Sequence, residues 1–245
     1  MANQRPAVSI TNVIWSFDVT TKQLLVLLLQ RAQAPFKGTW GLPTTDLRAD
    51  ESADEAALRL VREKLGVTLQ RQQVEQLGTF TQVDRVPGQR TLALTYMVYL
   101  PVMPPLVPGY GASAVSWFAV TPRLNRDDLT AGALTFTGVV DDLSARDFYQ
   151  QSRTSGWTAD HALIVKTALQ RVRNRLDYSP TILNVYGPQF TLKQARELYA
   201  ILERKAVEQI DNSNFRKTHG HLFELVGTAR VVASGRPAKL YRLKK

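Results

Sequence analysis

The segment from Glu51 to Val67 constrains the fold most. Ser52 and Glu55 have the spacing of a capping box, in which each side chain satisfies the other's main-chain N–H, and Ala56, Ala57, Leu60, Val61 and Leu65 then recur at helical intervals. Gly66 follows, the residue type best suited to end a helix in a left-handed conformation. About 13 residues of amphipathic helix are therefore expected. Upstream, residues 8–19 and 23–31 are rich in Val, Ile and Leu and are separated by Thr20-Thr21-Lys22, the pattern of a strand pair. Pro35, Gly38, Gly41 and Pro43 mark a loop between the strand pair and the helix. Residues 74–83, 91–102 and 115–120 are further strand candidates, and residues 159–176 a second long helix with a basic outer face.

Charge separates the chain into two parts. The 245 residues carry a net charge of +10, yet residues 180–245 alone hold 12 basic and 5 acidic side chains. A small basic unit behind a nearly neutral one suits a polyanionic partner, because each neutralised phosphate releases counterions. Pro180 and Pro188 lie in the expected connector, giving domains at 1–179 and 180–245. In the second, Thr191 and Gln194 cap a helix carrying Leu198 and Leu202. A further helix starts after Asp211 and is expected to reach Leu222, Phe223 and Leu225. Arg230-Val231-Val232 and Leu240-Tyr241-Arg242 flank a turn at Ser234-Gly235-Arg236-Pro237. Helix, helix, hairpin is the order of the DNA-contacting half of a winged helix.

Other classes are disfavoured. There is no cysteine and there are three histidines, so disulfide frameworks, thiolate metal sites and histidine-rich sites are out. The longest apolar run, residues 24–29, is far too short to span a bilayer, and no export segment opens the chain, so a soluble cytoplasmic protein is expected.

Counted from Thr45, the helix and its loop resemble the signature of the Nudix hydrolases, G-x5-E-x7-R-E-U-x-E-E-x-G-U with U apolar. Glu51, Arg59, Val61, Glu63, Gly66 and Val67 occupy matching positions, whereas Thr45, Leu60 and Lys64 replace the glycine and two glutamates. In that family the two replaced glutamates, four residues apart on one helix face, hold the divalent cation. An apolar chain cannot ligate Mg²⁺ and an ammonium repels it. The resemblance therefore implies a domain with no catalytic residues, no metal site and no required cofactor.

Gln76-Leu77-Gly78-Thr79-Phe80, Asp84-Arg85, Trp117-Phe118, Asp160-His161, Tyr178-Ser179-Pro180, Phe190-Thr191-Leu192, Asn214-Phe215-Arg216-Lys217 and Gly235-Arg236-Pro237-Ala238-Lys239-Leu240-Tyr241 resemble landmarks of the Nudix-related transcriptional regulators. That resemblance implies an α+β fold: a Nudix-like mixed-sheet α/β/α sandwich followed by a small winged helix-turn-helix domain. It further implies a homodimeric repressor on a palindromic double-stranded operator, controlling NAD or pentose metabolism, with ADP-ribose or a related nucleotide as effector. Val86 departs from the family's usual continuation after Asp84-Arg85 and leaves the effector open.

Arg31, Arg59, Lys64 and Arg85 are candidate cations for a diphosphate, Lys64 in place of the missing metal or else as a solvent-exposed lysine. Trp40 and Phe80 are candidates to stack on a base, with core packing as the alternative. Asp160 and His161 join them as ligand candidates, although helix capping also accounts for Asp160. Glu63, at a matching signature position, is a further ligand candidate, with bracing of the helix through its i, i+4 pair with Arg59 as the alternative. For DNA the candidates are Asn212, Ser213, Asn214, Arg216 and Lys217 on the second helix, with capping as the alternative for the first two, and Arg236 and Lys239 in the wing. Phe215 is assigned to the core, and His219 and His221 to the exposed surface. The competing readings are a hydrolase of ADP-ribose-like nucleotides, with a metal site rebuilt from Glu51, Glu63 and Glu75, and an RNA-binding module.

Overall fold

The computed structural model describes residues 5–151, 155–229 and 237–244. Strands β1 (Ala7–Asp18) and β2 (Gln23–Arg31) form the expected hairpin. They are followed by short strands β3 (Trp40–Gly41) and β4 (Thr44–Asp46) inside the Gly/Pro loop, helix α1 (Ala53–Leu65), β5 (Val74–Phe80), β6 (Thr91–Tyr99), β7 (Ala112–Pro122), β8 (Asp127–Ala131) and β9 (Leu134–Phe136). The sheet runs β5-β6-β1-β2-β7-β8-β9, with β3 beside β2 and β4 beside β1. The β1–β6 pair is parallel and the other pairs are antiparallel, so the sheet is mixed.

Successive side chains of β1 point to opposite faces, and almost every one is buried because both faces are covered. Val13, Trp15 and Phe17 face the cluster that contains helix α3 (His161–Asn174), while Ile10 and Ile14 face α1 through Ala56, Ala57 and Val61. Helices thus cover both faces, the α/β/α sandwich expected. Helix α1 has the anticipated caps. Ser52 Oγ accepts from Glu55 N at 3.3 Å, the Glu55 carboxylate accepts from Ser52 N at 2.8 Å, and Gly66 closes the helix at φ 66°. Helix α3 begins two residues later than its periodicity suggests because Ala159 has φ 48°, a left-handed conformation that cannot continue into a right-handed helix. Helix α2 (Ala145–Gln150), β8 and β9 have no counterpart in the sequence reading.

The C-terminal unit contains β10 (Phe190–Thr191), α4 (Leu192–Leu202), α5 (Asn212–His219), β11 (Phe223–Thr228) and β12 (Lys239–Leu243), with sheet order β10-β12-β11. Helix α5 is shorter than expected. Leu222, Phe223 and Leu225 are not helical, because after His219 the chain tightens into a 3₁₀ turn at Gly220–Leu222 and then extends. Phe223 points inward against Phe190, with ring centroids 5.2 Å apart. The first wing strand therefore precedes Arg230, and the expected strand at Arg230-Val231-Val232 lies outside the described residues, as does Arg236.

One apolar cluster runs across the 179/180 connector, joining Leu169, Val172 and Leu176 to Ile182, Leu183, Phe190 and Tyr199. Phe17 and Tyr186 meet with ring centroids 4.8 Å apart, and Tyr199 Oη donates to Leu176 O at 2.7 Å. Among the described residues no helix is long and apolar enough to cross a membrane.

Candidate functional site

A cleft of about 640 Å³ opens where β1, β2, β4, the loop at 32–36, the loop at 85–89 and the start of α3 converge. Arg31, Phe36, Thr44, Asp46, Arg85, Thr158 and His161 are among the residues that line it. Three of the sequence candidates, Arg31, Arg85 and His161, lie in its wall, but they are not electrostatically alike.

Arg31 stands at the end of β2. Its Nη2 donates to Leu42 O at 3.4 Å, its buried Nε has no hydrogen-bond partner, and it forms no ion pair among the described residues. Burial pulls its pKa below the usual arginine value. A cation held short of partners at a cleft wall is suited to an anion arriving from solvent. Arg85 differs. Its guanidinium binds the Asp160 carboxylate twice, at 3.0 and 2.6 Å, with both side chains buried, and Tyr149 Oη donates to the same carboxylate at 2.6 Å. Arg85 is thereby neutralised inside the protein. Asp160 is the residue before α3, but its side chain makes no capping bond, so the ion pair replaces capping as its role.

His161 Nδ1 accepts the main-chain N–H of Leu42 at 2.9 Å. Burial, with the charges of Arg31 and Arg85, holds the His161 imidazole well below the usual histidine range. It is therefore neutral, with its proton on Nε2, and can donate to a ligand without adding charge. The chain approaches His161 closely only because residue 41 is glycine. A Cβ there would lie 2.5 Å from His161 Nδ1 and 2.6 Å from Thr158 Cβ.

The other ligand candidates lie elsewhere. Trp40 is buried among Phe118 and Phe136, with centroid separations of 5.1 and 6.4 Å, and Phe80 packs on the same cluster near a separate groove. The aromatic that lines the cleft is Phe36, which has no periodic pattern around it to mark it in the sequence. Arg59 is buried and fully engaged. It meets Glu51 at 2.6 Å, Glu63 at 3.1 Å and Asp46 O at 3.0 Å. Lys64 donates to Tyr110 O at 2.6 Å, and burial together with the neighbouring Arg31 lowers its pKa. It is near enough to feel the charge of Arg31 but does not line the cleft.

The residues at the Nudix-signature positions do not fit a divalent cation. Leu60 is fully buried, and the Arg59 guanidinium holds the Glu51 carboxyl down to about 2. Glu63 is shared between Arg48 and Arg59, while Glu75 pairs with Arg175 and accepts from Tyr99 Oη. Glu51, Glu63 and Glu75 therefore form no common site. Among the described residues no group of three or more His, Asp or Glu side chains is arranged to hold a metal.

On the C-terminal unit, Asp211 caps α5 by accepting from Asn214 N at 2.7 Å. Asn212 and Ser213 are consequently first-turn residues and not caps. They are exposed together with Asn214, Arg216 and Lys217, while Phe215 faces inward. His219 is buried, contrary to expectation, between Tyr199 and Phe215, with Nε2 at 3.0 Å from Asp177. Its i, i+4 relation to Phe215 puts it on the inner face. His221 is exposed. Lys239 is exposed at the start of β12.

Comparison with known proteins finds two family models in the chain. Residues 6–137 match the NUDIX domain family model, and residues 182–243 match that of the NrtR DNA-binding winged helix domain. Over 233 residues the chain is 24% identical to the ADPR responsive transcriptional repressor NtrR of Acinetobacter baylyi, spanning 92% of this chain and 78% of that protein. A MutT/nudix family protein from Enterococcus faecalis superimposes with a TM-score of 0.86 at 28% identity, covering 100% of this chain and 88% of the other. Shewanella oneidensis NrtR complexed with a 27mer DNA superimposes with a TM-score of 0.66 at 23% identity, covering 97% and 93%.

Proposed function

We propose, because the chain belongs to the NUDIX domain family and ends in the NrtR DNA-binding winged helix domain, that it is a transcriptional repressor whose Nudix domain senses ADP-ribose. One observation carries this reading. A Nudix fold whose signature carboxylates are tied up by Arg59 shares a chain with a winged helix that exposes Asn212, Ser213, Asn214, Arg216 and Lys217 along one helix. The first feature disfavours metal-assisted pyrophosphate cleavage, which needs a cation for charge neutralisation and nucleophile activation. The second supplies amide groups for adenine edges and cations for guanine or phosphate.

In this reading Arg31 takes the diphosphate, His161 donates from Nε2 and Phe36 stacks against a flat ring. Arg85 and Asp160 shape the wall, and Lys64 reinforces the positive potential around Arg31. Lys239, with Arg236, contacts DNA from the wing. A homodimer on a two-fold symmetric operator in genes of NAD or pentose metabolism is the expected setting, and no metal or other cofactor is required.

The test is selection of duplexes from a random library by the purified full chain, followed by incubation of the chain with ADP-ribose and Mg²⁺. The reading expects a two-fold symmetric sequence to be enriched and ADP-ribose to remain intact. Turnover of ADP-ribose without sequence selection would put a hydrolase in its place.

A further inference from the structure

Arg204 occupies a position where its backbone would be better served by glycine. Helix α4 ends with Lys205 N donating to Ala200 O at 2.9 Å and Arg204 N donating to Ile201 O at 3.2 Å, a Schellman arrangement whose left-handed residue is Arg204, at φ 56°. A side chain kept on such backbone is held there by what it contacts. The Arg204 guanidinium reaches out of the C-terminal unit to two acids of the sheet domain. It binds Asp127 at 2.9 Å and Asp141 through both terminal nitrogens. Asp127 is buried and also binds Arg173 of α3 at 2.8 Å, while Arg173 Nε donates to Leu202 O at 2.6 Å. Two arginines and two aspartates thus close a neutral quartet across the seam.

A second ion pair crosses the seam in the opposite sense. Lys22, in the β1–β2 turn and itself at φ 55°, binds Glu197 of α4 at 3.3 Å. The third non-glycine residue with positive φ among the described residues is Ala159, in the cleft wall one residue before the Asp160–Arg85 pair. Helix α3 connects the two places. Its first residue is His161 in the cleft, and Arg173 lies near its last turn, about 18 Å away at 1.5 Å per residue. Helix α4 in turn carries α5, since Arg196 donates twice to Ile210 O and Tyr199 stacks edge-on against Phe215 at 4.9 Å.

We infer that the Arg204, Asp127, Asp141 and Arg173 quartet is the latch through which occupancy of the cleft alters the placement of α5. Arg204 and Arg173 act as positioning residues, and neither touches ligand or DNA. This rests on the effector reading above. A ligand drawn against Arg31 and His161 shifts the start of α3, and a closed quartet passes that shift to α4 because the buried Asp127 carboxylate binds Arg173 of α3 and Arg204 together.

Arg204→Gln in the full chain separates coupling from binding. Three quantities are measured: ADP-ribose affinity by calorimetry, affinity for the selected duplex alone, and affinity for that duplex under saturating ADP-ribose. In the unmutated chain the ligand weakens duplex binding by about tenfold or more. In Arg204→Gln both separate affinities stay within about threefold while the ligand effect falls toward onefold. Arg204→Lys, which keeps the charge without the fork, falls between. A full ligand effect in Arg204→Gln would overturn the latch while leaving the effector reading intact. No ligand effect in the unmutated chain would remove the reading itself and the latch with it. Should Arg204→Gln fail to fold, amide exchange in the unmutated chain decides. ADP-ribose must change protection at residues 199–205, and unchanged protection there overturns the latch.

Discussion

His161 Nδ1 accepts the Leu42 N–H at 2.9 Å, and this bond joins the loop between β3 and β4 to the first residue of α3. It also fixes the tautomer, leaving the proton on Nε2. Because burial holds the folded imidazole well below its ordinary value of 6.5, the unfolded chain takes up that proton first. Stability therefore falls as pH drops below about 6.5, the direction required when the unfolded state binds more protons. His161→Gln, whose amide oxygen can accept from Leu42, should flatten the slope of unfolding free energy between pH 6.5 and 5. Chemical denaturation at several pH values measures it, and an unchanged slope would refute the assignment.

Gly41→Ala should be costly at a position with ordinary backbone geometry. The new Cβ meets His161 and Thr158 inside 2.7 Å, so α3 or β3 must move. A loss of about 1–3 kcal/mol is expected, as for other overpacked sites. Thermal unfolding with ADP-ribose titration checks it, the expected result being a lower Tm together with weaker ligand binding.

Arg31→Met should divide stability from binding. Removing a cation with an unpartnered Nε relieves desolvation without breaking an ion pair, so the Tm should hold or rise. ADP-ribose affinity should fall by about 2 kcal/mol, roughly 30-fold, the size of a lost hydrogen bond to a charged group. Retained affinity would move the diphosphate elsewhere.

Arg85→Met should behave in the opposite way. It strands the Asp160 carboxylate, 2% exposed, with only Tyr149 as partner, and should cost about 3–5 kcal/mol. Adding Asp160→Leu should recover much of that loss, since an apolar pair can replace a buried ion pair. Denaturant unfolding of both variants gives the comparison, and a double variant no more stable than the single would count against an internally neutralised Arg85.

Local signals made part of this protein legible from its residues alone. The Ser52/Glu55 and Thr191/Gln194 boxes, Gly66, and the apolar runs on either side of Thr20-Thr21-Lys22 are determined by near neighbours, and α1, α4 and the central hairpin follow from them. Strand β8 was hidden because Asp127 and Asp128 look like loop residues until their arginine partners are in place, and those of Asp127, Arg173 and Arg204, are distant in sequence. The same distance hid the Arg204 seam, 77 residues from Asp127. The end of α5 was misplaced because an apolar stripe at Leu222, Phe223 and Leu225 suits either a helix or a strand. In the cleft, residue type identified the cations Arg31 and Arg85, but only the fold shows that one is unpaired and the other neutralised. Phe36 has no signal of its own, whereas Trp40 and Phe80 carried aromatic bulk that the core uses.

The most direct measurement of the central claim is the affinity of the full chain for its selected duplex at a fixed salt concentration near 0.15 M, without and with saturating ADP-ribose. The account predicts specific binding that ADP-ribose weakens about tenfold or more, and that Asn214→Ala weakens only for the selected sequence, by about 1–3 kcal/mol. Sequence-independent binding unaffected by ADP-ribose would contradict it.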